Sequence, residues 1–217
     1  KFADDYPPDI TIHEGYFSTD TCSAVLGSKK AKVITSISIF YDLEKPNDFV
    51  AAIQSALAAD GIWVLEQSYL PDMLETNAFD TICHEHLEYY ALAQIQNLAE
   101  RHGLRVFDVQ LNDCNGGSFR TAVCHKDGPF KTNTDAIAAL ERRERDLKLD
   151  TDKPFVDFRR RIEDLRDATV DLVERETAAG KTFYLYGAST KGNTLLQYYG
   201  LDHRHIVAAA ERNPEKW

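Results

Sequence analysis

Two apolar, β-branched runs flanking a helix-spaced segment constrain this chain more than any other feature. Ala31 to Phe40 (AKVITSISIF) is nearly continuous in apolar character, which suits a strand covered on both faces. From Asp48 to Ala59, Phe49, Ile53 and Leu57 recur at helical spacing, and Asp60-Gly61 ends that helix. Ile62 to Gln67 (IWVLEQ) then predicts a second buried strand. Strand, helix and strand joined by short links form a βαβ unit, so the fold class is α/β with a sheet at least partly parallel.

The flanking segments extend that frame. Asp9 to His13 predicts a short strand, and Thr21 to Leu26 a helical turn. Leu70-Pro71-Asp72 opens a loop, after which Ala91 to His102 places Ile95, Leu98 and Ala99 on one helical face, closed by Gly103. Leu104 to Leu111 and Ser118 to His125 both alternate, with Asn115-Gly116-Gly117 between them, which predicts an antiparallel hairpin closing the sheet edge. Two charged amphipathic helices follow, Thr134 to Leu147 and Lys153 to Ala179, whose Arg and Glu runs read as solvated faces. A second strand–loop–helix–strand unit closes the chain, from Lys181–Tyr186 through Gly187–Thr194 to His205–Ala210. The expected division is a first domain over 1–130, a helical linker over 131–180 and the start of a second Rossmann-like domain over 181–217.

Composition excludes some functions. A formal charge of -10 argues against non-specific grip on nucleic acid, which needs basic patches, but leaves room for a nucleotide ligand held by backbone amides. Cys22, Cys83, Cys114 and Cys124 form no CxxC pair, so a structural zinc site within the chain is not expected and the thiols read as reduced. No run is long enough to span a membrane and no signal-peptide pattern is present, so the expected location is cytoplasmic.

One stretch fits no hydrophobic period: Asp80 to Tyr90, DTICHEHLEYY. The bland interpretation is a polar loop that helps close the fold. Its HEH spacing is wrong for a zincin, which needs HExxH on one helical face. His84 and His86 would chelate a metal from a strand, but no third ligand is apparent. A Cys83–histidine nucleophile lacks an oxyanion-hole signature. A general base at His86 with Glu85 as electrostatic support fits better. The loop Gly187-Ala188-Ser189-Thr190-Lys191-Gly192-Asn193 lies where strand-to-helix turns bind anions, with Lys191 as a nearby cation. Asn193 replaces the lysine of a Walker A loop, so an NTPase is rejected; a bare βα turn is the alternative. Asn115 to Arg120 is mainly a turn signal, with backbone approach to a ligand and an anion-binding Arg120 as the functional alternative.

Taken together, FDTICHEHLEYY, NGGSFR, YGASTKGNTLLQYYG and the closing ERNPEKW resemble the S-adenosylmethionine-dependent sugar-nucleotide C-methyltransferases of deoxysugar biosynthesis. The resemblance implies the later part of a class I methyltransferase domain followed by the start of a Rossmann-like domain. It also implies that the N-terminal zinc domain, the glycine-rich motif for the cofactor and the end of the C-terminal domain lie outside this sequence. The implied chemistry removes a proton alpha to a keto group of a nucleotide-linked sugar, and the enolate then takes the methyl group. His86 is the implied base and Glu85 its support, with His84, Cys83 and Tyr41 in the same catalytic set. Ser36, Ser38, Phe40 and Glu66 would line the cofactor side. Asn115, Gly116, Gly117, Ser118 and Arg120, with Gly187, Ala188, Ser189, Lys191, Gly192 and Asn193, would line the sugar-nucleotide side. Cys83 stands where such enzymes often carry tyrosine, which leaves open a methyltransferase acting on another acceptor, or a non-catalytic nucleotide-sugar-binding module. A sheet lacking its first strands would expose an unpaired edge through which the chain could associate.

Overall fold

The computed structural model describes residues 6–7 and 9–214. The first layer is a four-stranded sheet of β1 (Ala31–Ile37), β2 (Leu57–Ser68), β3 (Leu104–Asn112) and β4 (Ser118–His125), in the order β1-β2-β4-β3. β1 and β2 are parallel, with Val33 opposite Ile62 and Ile37 opposite Glu66. A short helix, α1 (Thr19–Leu26), precedes β1; the helix between β1 and β2, α2 (Pro46–Ala56), starts at a proline whose missing N–H costs nothing there. It turns into β2 directly at Leu57, so Asp60 and Gly61 lie within the strand and do not end the helix. Gly61 is required where it stands, since a Cβ would come within 2.8 Å of the Ala31 carbonyl oxygen. β4 runs antiparallel to β2 and to β3, as the hairpin pattern predicts.

The core lies on one face of this sheet. Trp63, Leu65, Phe119 and Val123 project into it from β2 and β4. Phe49, Val50 and Ile53 of α2 cover them, with Leu92, Ile95 and Ala99 of α4 (Leu92–Arg101) and Ile137 and Leu140 of α5 (Thr134–Asp146). The first of the two charged helices is therefore part of the first core. Its charged face is also less solvated than its composition suggests. Glu144 is buried and accepts hydrogen bonds from the Tyr69 hydroxyl at 2.9 Å, Leu92 N–H at 2.6 Å and Ala93 N–H at 3.2 Å. Ala91, at the N-terminus of α4, offers no oxygen of its own, so the carboxylate on α5 caps that helix from outside.

Several expectations are corrected. Asp9 to His13 forms no strand; the segment is exposed and makes no ladder. The strand starting at Ala31 ends at Ile37 and is not covered on both faces: it is an edge strand with Val33 and Ile37 exposed. β-branched runs satisfy a strand whether or not its second face is covered, so the pattern did not distinguish the two. Leu70-Pro71-Asp72 opens a helix and not a loop, α3 (Leu70–Thr76), because Pro71 sits in the first turn. That helix ends at Asn77 in the left-handed conformation.

The long α6 (Lys153–Ala178) builds a second, smaller core. Phe158 and Ile162 pack against Met73, Leu74 and Phe79. Arg161 donates to the Leu74 carbonyl at 2.6 Å and to Asn77 Oδ1 at 2.8 Å, which holds the end of α3. A separate two-stranded parallel sheet, β5 (Phe183–Tyr186) and β6 (Ile206–Ala210), is bridged by α7 (Thr190–Tyr199), as the second βαβ pattern predicts. Leu195, Tyr198 and Tyr199 of α7 join the smaller core.

Candidate active site

β1 and β2 end side by side, and open α/β sheets place ligands outside the carboxyl ends of their parallel strands. Ser38, just past β1, has φ of 53° and donates its N–H to the Glu66 carbonyl at 2.8 Å. A non-glycine residue in that region is strained, and such strain concentrates at functional sites. The 3-10 turn Phe40–Asp42 follows, and its Tyr41 carbonyl accepts N–H groups from Leu87 at 2.9 Å and Glu88 at 3.1 Å. The DTICHEHLEYY stretch is therefore pinned to the end of β1 by its backbone.

Within that stretch a second 3-10 turn, Phe79–Thr81, presents the Thr81 carbonyl to His86. His86 Nδ1 lies 2.7 Å from this oxygen, and Tyr89 donates its hydroxyl to the same oxygen at 3.3 Å. A carbonyl only accepts, so the Nδ1 atom carries the proton and Nε2 of the neutral imidazole keeps its lone pair. The His86 ring is half-buried against Tyr41, with centroids 4.4 Å apart. Burial pushes the Tyr41 phenol above its ordinary range, partly offset by a hydrogen bond with Ser38. Tyr41 therefore stays a protonated donor through neutrality. Asp42 was not singled out from the sequence. Its carboxyl is pushed up by burial, with the His86 charge opposing that and Glu85 adding to it. Tyr41, Ser68, Tyr69, Thr81, His86 and Tyr89 line a small hollow of about 10 Å³, room for about one water.

The other expected residues are distributed unevenly. His84 and Glu85 face solvent, 4.0 Å from each other, with side chains 86% and 56% exposed. Glu85 thus lies beside His84, while the groups around the His86 ring are Thr81, Tyr41 and Asp42. Cys83 is half-buried, close enough to Tyr41 and Tyr89 to act on both electrostatically. Ser36 is buried and accepts the Trp63 indole N–H at 2.7 Å, and Phe40 is fully buried in the core. Glu66 and Arg120, expected on opposite sides of the site, are partners across β2 and β4, with Nε and Oε2 2.6 Å apart. Ser38 is the one exposed side chain of the four expected on the cofactor side.

The turn Asn115-Gly116-Gly117 is explained by packing. Asn115 and Gly116 have φ of 55° and 86°. Gly117 has φ of 120°, and a Cβ there would fall 2.5 Å from Asp72 on α3. Ser118 Oγ donates to the Cys114 carbonyl at 2.9 Å. At the second loop, Gly187 has φ of 95° and donates to the Ala210 carbonyl, while the Ala188 amide donates to Glu211 Oε2 at 2.6 Å. Ser189 caps α7 through the Gly192 amide at 3.0 Å, and the Asn193 amide donates to the Ser189 carbonyl. An incoming anion would compete with the Glu211 carboxylate for Ala188. Lys191 is half-buried one turn away. Among the described residues no three His, Cys, Asp or Glu side chains converge as a metal site, and no helix is long and apolar enough to cross a membrane.

Thr81 and Asp42 were missed because one acts through its carbonyl and the other sits in the second half of FYD, after an apolar run. A carbonyl leaves no signature in a sequence. A lone acidic residue following a strand is common enough to carry no signal by itself.

Residues 113–217 match the family described as C-methyltransferase C-terminal domain. The C-methyltransferase NovU of Streptomyces niveus is 34% identical over 176 residues, which take up 81% of this chain and 42% of NovU. The chain therefore spans less than half the length of that curated relative. Among solved structures, the complex of LepI with SAM superposes with a TM-score of 0.38 at 17% identity, over 45% of this chain and 27% of that one. An O-methyltransferase family protein from Burkholderia thailandensis gives 0.38 at 10% identity, over 54% of this chain and 36% of that one. At those scores the structural likeness carries no argument.

Proposed function

We propose that the chain, similar to C-methyltransferases over residues 113–217 and along its match to NovU, carries the base and the acceptor side of a methyl transfer to carbon. The acceptor is a carbon alpha to a keto group on a nucleotide-linked deoxysugar, and the donor S-adenosylmethionine. The observation that carries this reading is the 2.7 Å contact between His86 Nδ1 and the Thr81 carbonyl. In the neutral ring it leaves Nε2 as the proton acceptor, which is what proton abstraction from a carbon acid needs.

His86 Nε2 takes the alpha proton, and the imidazolium that forms keeps its Nδ1–H on Thr81. Tyr41, whose phenol remains protonated, donates to the developing enolate oxygen. Asp42 is close enough to His86 for the two charges to act on each other. S-adenosylmethionine supplies an electrophilic methyl group when bound. The residues described here do not by themselves cradle it: Ser36 is committed to Trp63, Phe40 to the core and Glu66 to Arg120.

The test is solvent deuterium exchange into a 4-keto sugar nucleotide, catalysed by the chain together with any flanking sequence its gene encodes. Exchange at the alpha carbon is expected without the methyl donor, and His86→Ala is expected to abolish it with binding retained. If His86→Ala exchanges at the native rate, His86 is not the base. Binding with no exchange in the native protein would favour the nucleotide-sugar-binding module instead.

A further inference from the structure

We propose that Tyr198 and Tyr199, on α7 of the C-terminal unit, are positioning residues that fix the tautomer of His86 through the turn Phe79–Thr81. The inference rests on the assignment of His86 as the base for its catalytic consequence, but not for its geometry.

Phe79 is almost wholly buried, and its ring meets Tyr198 at 5.1 Å and Tyr199 at 5.8 Å between centroids. Met73 and Leu74 of α3 and Phe158 and Ile162 of α6 complete the enclosure. Each tyrosine is itself held by α6. The Arg166 guanidinium lies 5.7 Å from the Tyr198 ring centre, and Thr169 lies close enough to the Tyr199 hydroxyl to act on it. Asp80, the residue after Phe79, is close enough to Tyr199 to act on its phenol. Three helices therefore converge on one aromatic side chain in a turn that is only three residues long.

That turn delivers the Thr81 carbonyl. Thr81 Oγ1 donates to the Ala78 carbonyl at 2.8 Å, and Ile82 N–H to the Phe79 carbonyl at 2.9 Å, so its backbone moves with Phe79. The carbonyl oxygen then receives the His86 Nδ1–H. The nitrogen that carries the proton in a neutral imidazole is set by the hydrogen bond made by its partner nitrogen. Once the turn is free to move, the proton is no longer confined to Nδ1, and a proton on Nε2 removes the base. Tilted and edge-on aromatic contacts favour the enclosed geometry beyond their burial alone, which makes the two tyrosines the natural lock.

α7 also begins at the Gly187 loop, about 15 Å from its Tyr199 end by helix rise. A ligand that reorients this helix from its N-terminal end would move the lock at the other end.

The test records long-range proton–nitrogen NMR spectra of histidine-labelled 217-residue chain at a pH where the imidazole is neutral. The native chain is expected to show His86 as the Nδ1–H form. The pair Tyr198→Ala with Tyr199→Ala is expected to shift it toward Nε2–H, and the pair Tyr198→Phe with Tyr199→Phe to restore the native pattern. Should the alanine pair fail to fold by circular dichroism, Tyr198→Leu with Tyr199→Leu serves instead, since it fills the enclosure without the rings. Retention of the Nδ1–H form in ring-less, folded protein overturns the proposal. In the exchange assay, the ring-less pair is expected to lower kcat about tenfold or more with KM little changed, as misplacement of a catalytic group does. His86→Ala tests the base assignment separately. If that variant exchanges normally while the tautomer still responds to the tyrosines, the base assignment fails and the lock stands.

Discussion

Glu144 carries a heavy share of the internal polar bonding, and replacing it by leucine makes the sharpest test of how this fold is held. Its carboxylate accepts from the Tyr69 hydroxyl, the Leu92 amide and the Ala93 amide, and it is 6% exposed. Leucine of similar volume removes the acceptor and strands three donors. An unsatisfied buried donor costs about 1–3 kcal/mol, and loss of a carboxylate at a helix N-terminus adds up to about 2 kcal/mol. The three donors are close neighbours and share the relaxation, so a loss of about 3–5 kcal/mol is expected, not the full sum. Glu144→Gln keeps one acceptor oxygen and is expected to cost about 1–2 kcal/mol. Tyr69→Phe removes a single bond and is expected to cost about 1 kcal/mol in the native background, but to recover about 1 kcal/mol beside Glu144→Leu, where it removes a stranded donor. Urea unfolding followed by circular dichroism and tryptophan fluorescence reads all four variants. A change below about 1 kcal/mol for Glu144→Leu would refute the claim that α5 caps α4. Equal effects of Tyr69→Phe in both backgrounds would refute the Tyr69–Glu144 bond.

Further outcomes follow from the same structure. Ser36→Ala leaves the buried Trp63 indole N–H without an acceptor and is expected to cost about 1–3 kcal/mol in urea, with a shifted tryptophan emission. Gly117→Ala combines a φ of 120° with a Cβ set against Asp72, so a loss of about 2 kcal/mol or more and a lowered thermal midpoint are expected. Burial raises the phenols of Tyr69 and Tyr90 in the folded chain, with Glu144 adding to the first and Glu88 to the second. A group raised by folding stabilises below its unfolded value and loses that contribution as pH climbs toward its folded one. The urea midpoint is therefore expected to fall above about pH 10, and Tyr90→Phe to flatten the fall; an unchanged midpoint to pH 11 would count against buried phenols.

The legibility of this chain differed from one segment to the next. The helix spacing of Phe49 and Ile53 and the two runs beside it specified a parallel pair because burial writes itself as period and apolarity. The hairpin was legible in its glycine turn and alternating strands. The covering of β1 was not, since an apolar β-branched run looks the same whether its second face is packed or open. α3 was missed because proline serves both as a loop opener and as the first residue of a helix, and its choice depends on what Met73 and Leu74 have to pack against. For the site, DTICHEHLEYY stood out through its composition, and of His84, Glu85 and His86 it is His86 whose side chain the fold places against a backbone carbonyl.

What the sequence determined by itself was the order of the α/β elements and the address of the polar loop, since both are encoded in residue type along the chain. Tertiary structure decided which of the polar residues touch. Glu66 was drawn to Arg120 by strand register, and Glu85 was left beside His84 in solvent. His86 was given its proton-bearing nitrogen by a carbonyl five residues away, in a turn clamped by a helix that begins more than a hundred residues later. Contacts of that kind join backbone atoms and distant side chains. No local pattern of residue types encodes them, because each depends on how separate helices and strands come to rest against one another.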